Sequence, residues 1–333
     1  MRQNVHKEKE IVHQILFVVI SRTNLLTLSA LIDGLRAAND MNEWPVYNYR
    51  IVTVDGENTL ASNGFIIPSS GPLPCENLPE HIIVVGSWEP DAATTKKIVE
   101  FLRVADRKGC HLYGVDHGVL VLAEGGFLDN RKATTHWEVL PAVQMRYPKV
   151  QFEEKIIVSD RNRTTCPGHT ACLDLILSLV KKTSGDALSL AVSRELIYTR
   201  LRHRDDRQRL KGTVDRGSAT SYLDNAISLM EGTVEAPMRI YELAKAVGVS
   251  CRQLENRFHS EFGCPPSTYY LRLRLAKSRQ LLLYSTALIL NVAFSCGFTS
   301  HSAFSRSFKR EFGMTPIEYR DRFVLLSDRS YVE

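Results

Sequence analysis

Two rows of hydrogen-bonding side chains stand out by type and spacing. Arg252, Glu255, Asn256 and His259 fall three and four residues apart, opposite Leu254 and Phe258 on a helical wheel. His301, Ser302, Ser305 and Arg306 are presented in the same way opposite Phe304 and Phe308. Their chemistry suits base edges: arginine donates twice to guanine, asparagine pairs with adenine, and glutamate accepts from cytosine. Any one of them serves equally as a phosphate contact or a solvated side chain.

A second point of chemistry is Asp116, within Tyr113–Trp137 (YGVDHGVLVLAEGGFLDNRKATTHW). A strand feeds a sharp turn at Asp116-His117-Gly118 and a helix follows, which is the layout of a nucleophile elbow. Aspartate does no thiolate chemistry, and the adjacent His117 has no thiol to activate. A carboxylate is favoured at a helix N-terminus, and one that faces a pocket attracts a cation. Trp88, Tyr113 and Trp137 are aromatic side chains that could complete a cation site. The plain alternative is that Asp116 caps its helix and the tryptophans are core. Cys166 and His169, in the run TTCPGHTA, could form a catalytic pair or simply pack, and packing is the favoured reading. The helix beginning at Gly168 could bind a carboxylate at its N-terminus. Thr134, Thr135 and His136 could bond an effector or hold their loop.

The elements that position the two rows are written twice. Ser250, Leu254, Phe258, Glu261-Phe262-Gly263, Pro266 and Tyr269 recur 50 residues on as Ser300, Phe304, Phe308, Glu311-Phe312-Gly313, Pro316 and Tyr319. Ile240, Leu243, Ala244 and Val247 keep a helical apolar rhythm, as do Ile289, Val292, Ala293 and Cys296. Gly248 and Gly297 break those helices. Ser250 and Ser300 cap the next ones, and Gly263 and Gly313 end them before a proline. Helix, short turn, capped helix is the helix-turn-helix pattern. Ser267–Tyr284, between the copies, predicts a helix about 27 Å long. It carries Leu271, Leu275, Leu281 and Leu282 on one face and Arg272, Arg274, Lys277 and Arg279 on the other. Such a rod would place two recognition helices about 34 Å apart, in successive major-groove turns.

Charge is uneven. Residues 1–202 balance 23 bases against 23 acids, whereas 203–333 hold 19 against 14. Within 250–320 there are ten Lys/Arg and four acids, an excess that suits phosphate or a merely solvated basic face. Seven cysteines without a CxxC pair argue for a reducing cytoplasm and against a zinc or disulfide frame. No signal peptide is evident, and Ile15–Ile20 is too short an apolar run to cross a bilayer.

The first 200 residues predict strands over Gln14–Ile20, Tyr47–Asp55, His81–Gly86, Cys110–Val115 and Lys155–Ser159. Helices are expected over Asn24–Asn39, from Asp91 to about Asp106, over Gly118–Gly125, Gly168–Lys182 and Asp186–Leu201. This alternation implies a mainly parallel sheet covered on both faces, with ligands outside the strand C-termini. His203–Gly217 (HRDDRQRLKGTVDRG) reads as a flexible, charged linker. A further helix is expected over Tyr222–Met230.

On the residues Val292-Ala293, Gly297-Phe298, Ser300, Phe304, Arg306, Phe308-Lys309, Phe312-Gly313, Thr315-Pro316 and Tyr319-Arg320, the last third of the chain resembles the AraC/XylS-type DNA-binding domain. That resemblance implies base contacts at the eight positions above; Asn256 stands where arginine is common. The elbow and the run RKATTHW make residues 12–202 resemble the PfpI-like, class I glutamine amidotransferase-like superfamily, in the branch called GlxA-type regulators. The resemblance implies a flavodoxin-like α/β sandwich that senses an effector and dimerises, a linker over 203–217, and an all-α domain with two helix-turn-helix units over 218–323. It also implies a homodimeric activator that meets RNA polymerase at an operator of repeated half-sites in double-stranded DNA, needs no cofactor or metal, and is not an enzyme. Members with aspartate at the elbow resemble sensors of quaternary amines such as betaines and carnitine. The alternatives are a glutaminase- or peptidase-like hydrolase that also binds DNA, and a constitutive DNA-binding protein with a vestigial first domain.

Overall fold

The computed structural model describes residues 12–87, 90–198, 202–208, 222–285 and 287–328. They divide into two compact units: the residues up to Leu140 with Tyr147–Gln208, and Pro141–Arg146 with the residues from Arg209 on.

The first unit runs β1 (His13–Val19), α1 (Leu25–Asp40), β2 (Tyr47–Val52), β3 (Thr59–Leu60), β4 (Ile66–Ile67), β5 (His81–Gly86), α2 (Ala92–Arg107), β6 (His111–Asp116), α3 (Gly118–Glu124) and β7 (Lys132–Ala133). Beyond α4 (Leu140–Arg146), which from Pro141 on belongs to the second unit, it continues with β8 (Gln151–Phe152), β9 (Val158–Asp160), β10 (Arg163–Cys166), α5 (Ala171–Ser184) and α6 (Asp186–Glu195). The main sheet has the order β2-β1-β5-β6-β10-β9, parallel except for the antiparallel edge strand β9. It is a flavodoxin-like sheet, and its central strands are buried on both faces, which is why the run IIVVG after His81 is continuously apolar. Ile15, Phe17 and Val19 of β1 pack with Leu31 and Leu35 of α1 and Leu175 and Ile176 of α5. Leu16 and Val18, alternating to the other face, are equally buried. Asn24 and Asp91 cap α1 and α2 by accepting from the Thr27 and Thr94 amides.

Four expectations for this unit need correction. The helix expected from Gly168 begins at Ala171, because Gly168 and His169 turn to φ +88° and +54°. The strand from Tyr47 stops at Val52 and not at Asp55, because the Asp55 carboxylate takes the Thr53 hydroxyl and the Glu57 amide in a turn through Gly56, at φ +88°. The single late strand over Lys155–Ser159 is a hairpin, β9 and β10. α6 ends at Glu195, where Ile197 turns to φ +52°; residues 199–201 lie outside those described.

The charged segment after residue 202 does not start as a free tether. Arg204 O and Asp206 O accept from the Ile157 and Ile156 amides. Gln208 Nε2 donates to Thr134 Oγ1, Thr135 O and Lys155 O, at 3.0, 2.8 and 2.9 Å. Arg202 holds the buried Asp174 at 2.7 Å. Residues 202–208 therefore belong to the α/β unit, and 209–217 lie outside the described residues.

The second unit contains α7 (Tyr222–Gly232), α8 (Ile240–Ala246), α9 (Cys251–Phe262), α10 (Pro266–Tyr284), α11 (Ile289–Ser295), α12 (His301–Phe312) and α13 (Pro316–Asp328). The duplication in sequence is a duplication in backbone. Gly248 and Gly297 sit at φ +74° and +73°, and Gly263 and Gly313 close α9 and α12 at +65° and +78°. Ser250 and Ser300 accept from the Gln253 and Ala303 amides. α10 spans about 28 Å and enters two separate cores. Tyr270 joins Leu243, Leu254 and Phe258; Leu275, Leu281 and Leu282 join Val292, Phe304 and Phe308.

The rod lacks the all-basic second face expected of it. Arg274 donates to Cys296 O and Gly297 O, both at 2.8 Å, with its guanidinium 4.3 Å from the Phe298 ring centroid. It clamps the turn of the second motif. Arg320 is likewise spent on Leu282 O and Ala287 O. Two of the ten cations thus serve the fold.

Candidate functional site

Asp116 is the last residue of β6 and adopts φ +56°. A left-handed non-glycine residue is held only where its surroundings over-determine it. Here the flanking glycines do so. A Cβ on Gly114 would lie 2.8 Å from Val119 Cα, and one on Gly118 would lie 2.0 Å from Val84 O. The strand–turn–helix is therefore an elbow in fact, and the spacing Gly114-x-Asp116-x-Gly118 is the sequence signal for it.

Asp116 is 5% exposed, and its carboxylate has two partners. Oδ2 accepts from Ser87 Oγ at 2.8 Å, and Oδ1 lies 3.3 Å from His117 Nδ1. α3 has His117 at its N-cap, with no side-chain capping bond. The Asp116 carboxylate is held across to the end of β5. Ser87 Oγ also accepts the Asn24 amide at 2.6 Å, and Asn24 Nδ2 lies 3.5 Å from His169 Nε2. The His169 ring is 5.5 Å from that of His136, which is 5.5 Å from that of Trp137. Burial first, and His169 second, hold the His136 imidazole below its ordinary 6.5, so the ring is neutral at neutral pH. Gly168, at φ +88°, comes so close that a Cβ on it would meet Asp116 Cβ at 2.8 Å.

The structure thus gathers Asp116, His117 and His136 with Trp137, which is 38% exposed. It adds Asn24, Ser87 and His169, which sequence reasoning did not assign to the effector. Asn24 and Ser87 follow the C-terminal ends of β1 and β5, where parallel sheets place ligands, and that rule could have found them. Trp88 lies outside the described residues. Tyr113 does not join the cluster. It is 3% exposed among core residues, and its hydroxyl pairs with His81 Nδ1 at 3.1 Å, at the opposite end of the strands. Three residues before the elbow, it is directed back along the sheet. Thr134 and Thr135 are buried and hold the loop through Thr165, Lys155 and Gln208. Cys166 packs in the core as a free thiol hydrogen-bonded to Cys172, whose own free thiol is pushed well above its ordinary value by burial; His169 faces Asn24 instead. The elbow carries no thiol for acyl transfer.

In the second unit, Leu254 and Phe258 are fully buried, and Arg252, Glu255, Asn256 and His259 are exposed on α9. On α12, Phe304 and Phe308 are buried and His301, Ser302 and Arg306 are exposed. Ser305 is half-buried, with its hydroxyl 3.5 Å from His301 Nε2. Of the other cations counted in the sequence, Arg257 is exposed but held 3.0 Å from Glu261, and Lys309 and Arg310 are exposed in the last turn of α12.

Comparison with known proteins accords with both halves. Residues 14–182 match the DJ-1/PfpI family and residues 243–322 match a helix-turn-helix domain. The chain is 37% identical over 309 residues to the HTH-type transcriptional regulator CdhR of Pseudomonas aeruginosa, covering 93% of this chain and 91% of that one. It is 30% identical over 313 residues to the HTH-type transcriptional regulator GlxA of Rhizobium meliloti, covering 93% and 96%. It belongs to the GlxA-type AraC family of transcriptional regulators. The crystal structure of an AraC family transcriptional regulator from Pseudomonas putida superposes with a TM-score of 0.51 at 20% identity, over 55% of this chain and 99% of that one, which speaks for the fold. This GlxA-type chain joins an α/β unit to two helix-turn-helix motifs, with aspartate at its elbow. No helix among the described residues is long and apolar enough to cross a membrane.

Proposed function

We propose that the protein activates transcription from the cytoplasm, as a homodimer, in response to a small cationic or zwitterionic amine of the betaine or carnitine type. The observation that carries this reading is Asp116. It is a buried carboxylate in a strained backbone at the strand C-termini, tied to Ser87 and His117. A quaternary ammonium has no N–H to donate, so its recognition rests on charge and on aromatic faces. Asp116 supplies the charge, and Trp137 with the neutral His136 supplies the faces. The effector biases the dimer between arrangements only by its differential affinity for them, and so sets how α9 and α12 meet two half-sites. Their exposed rows, Arg252–His259 and His301–Arg306, read base edges from the major groove, and contact with RNA polymerase follows at the promoter.

Calorimetry with glycine betaine, carnitine and arginine on the wild type and Asp116→Asn tests the reading. Binding of a quaternary amine by the wild type, weakened at least tenfold in the variant, is expected; equal binding by both removes Asp116 from the site.

A further inference from the structure

At the other end of the sheet from Asp116, the first residues of three strands carry histidines. His13 begins β1, His81 begins β5 and His111 begins β6. Glu80 precedes His81, and its carboxylate lies between two of the rings. Its Oε2 is 3.2 Å from His13 Nδ1, and its Oε1 is 3.6 Å from His81 Nε2. One donor atom from each of the three side chains falls within 4.8 Å of the other two.

His81 supplies the observation that points to a ligand. Its side chain is 4% exposed. Nδ1 is engaged by the Tyr113 hydroxyl at 3.1 Å, while Nε2, aimed toward Glu80, is buried without a hydrogen-bond partner. A buried ring nitrogen without a partner is costly to keep, and a nearby carboxylate and second imidazole have the donor set of a metal site. An imidazole that binds a metal through one nitrogen commonly offers the other to an oxygen partner, which is the role the Tyr113 hydroxyl would fill.

We propose that His13, Glu80 and His81 bind one divalent transition-metal ion, with zinc the best match. Two imidazoles and a carboxylate suit zinc better than magnesium or calcium, which take oxygen ligands. With bonds of about 2.0–2.1 Å, tetrahedral ligands stand about 3.3 Å apart; the two imidazole nitrogens approach the Glu80 carboxylate to 3.2 and 3.6 Å, one at each of its oxygens, and one donor atom from each residue lies within 4.8 Å of the others, so small side-chain adjustments would close the set on one ion. Three protein ligands leave the fourth position to water. The ion would bridge the starts of β1 and β5 and contains no thiolate, so it is separate in place and in chemistry from the effector cluster. Lys182, exposed on α5, acts electrostatically on Glu80, His81 and His111. Its charge opposes that of the ion, and removing it should tighten binding.

The test is zinc calorimetry on the full chain after chelator treatment, with cobalt absorption and thermal unfolding read on the same samples. Expected is one ion per chain, a rise in Tm with zinc, and a cobalt spectrum free of a thiolate charge-transfer band. Glu80→Gln and His13→Ala alter the less buried ligands and spare His81; each should weaken zinc binding at least tenfold and abolish the Tm rise. Lys182→Gln should tighten binding, and Asp116→Asn should leave it unchanged. A thiolate band, stoichiometric zinc retained by the His13→Ala/Glu80→Gln double variant, or no zinc binding by the wild type each overturns the proposal.

Discussion

Asp116 Oδ2 accepts a hydrogen bond from Ser87 Oγ at 2.8 Å, joining the C-terminal ends of β6 and β5. The same hydroxyl oxygen accepts the Asn24 amide from the start of α1, so three chain segments meet on one serine. Ser87→Ala should leave Asp116 free to swing and Asn24 without its acceptor. We expect a loss of about 1–2 kcal/mol in stability and an effector affinity lowered without being abolished. Denaturant unfolding alongside calorimetry checks it; unchanged affinity would mean that Ser87 does not orient the carboxylate.

The elbow's glycines set a second expectation. A Cβ on Gly118 would stand 2.0 Å from Val84 O, which is backbone of a central strand. Gly118→Ala should cost about 3 kcal/mol or more, as overpacking against an immovable neighbour does, and should lower Tm in the absence of any ligand. Gly126→Ala, where a Cβ meets nothing within 4 Å but φ is +76°, should cost only about 1 kcal/mol.

Much of this was legible in the residues. HIIVVG reads as a doubly buried strand, and the 50-residue repeat fixes both helix-turn-helix units down to their capping serines and left-handed glycines. β10 was not legible because RTTC looks like loop. Its polarity is hidden by specific partners: Arg163 reaches Asp106 at 2.6 Å, Thr164 meets His111, and Thr165 takes the Thr134 amide. Tyr113 was drawn into the effector site by nearness in sequence to Asp116, whereas strand direction sends its hydroxyl to His81. Gln208 sits in a run whose charge reads as solvated, and only its three carbonyl and hydroxyl partners reveal that it is docked.

Arg274 and Arg306 separate structure from recognition. Arg274→Ala removes two hydrogen bonds to carbonyls and an aromatic contact, and should cost about 2–4 kcal/mol with loss of all DNA binding. Arg306→Ala, on an exposed face, should leave unfolding unchanged and alter DNA affinity alone. Thermal melts and gel-shift assays on the pair distinguish the two roles.

His111 gives a pH dependence. Burial chiefly, and then Lys182 and His81, lower its pKa from 6.5 to about 4. The unfolded chain therefore binds the proton more readily between those values. The stability that neutral His111 contributes is complete above pH 6.5 and is lost as pH falls through 4. Denaturation midpoints followed across that window in the presence of a chelator should fall with acid, and His111→Asn should flatten the slope. An identical slope in the variant would place the effect elsewhere.

The central claim is that α9 and α12, held by α10, read duplex DNA while the α/β unit sets when they do so. Footprinting on the DNA upstream of its own gene, with and without glycine betaine or carnitine, tests it most directly. The account predicts protection of two half-sites about one helical turn apart, altered by the amine in the wild type but not in Asp116→Asn, and a changed pattern of protected bases in Arg252→Ala and Arg306→Ala. Absence of sequence-specific protection at moderate salt, or unchanged site choice in both arginine variants, would contradict it.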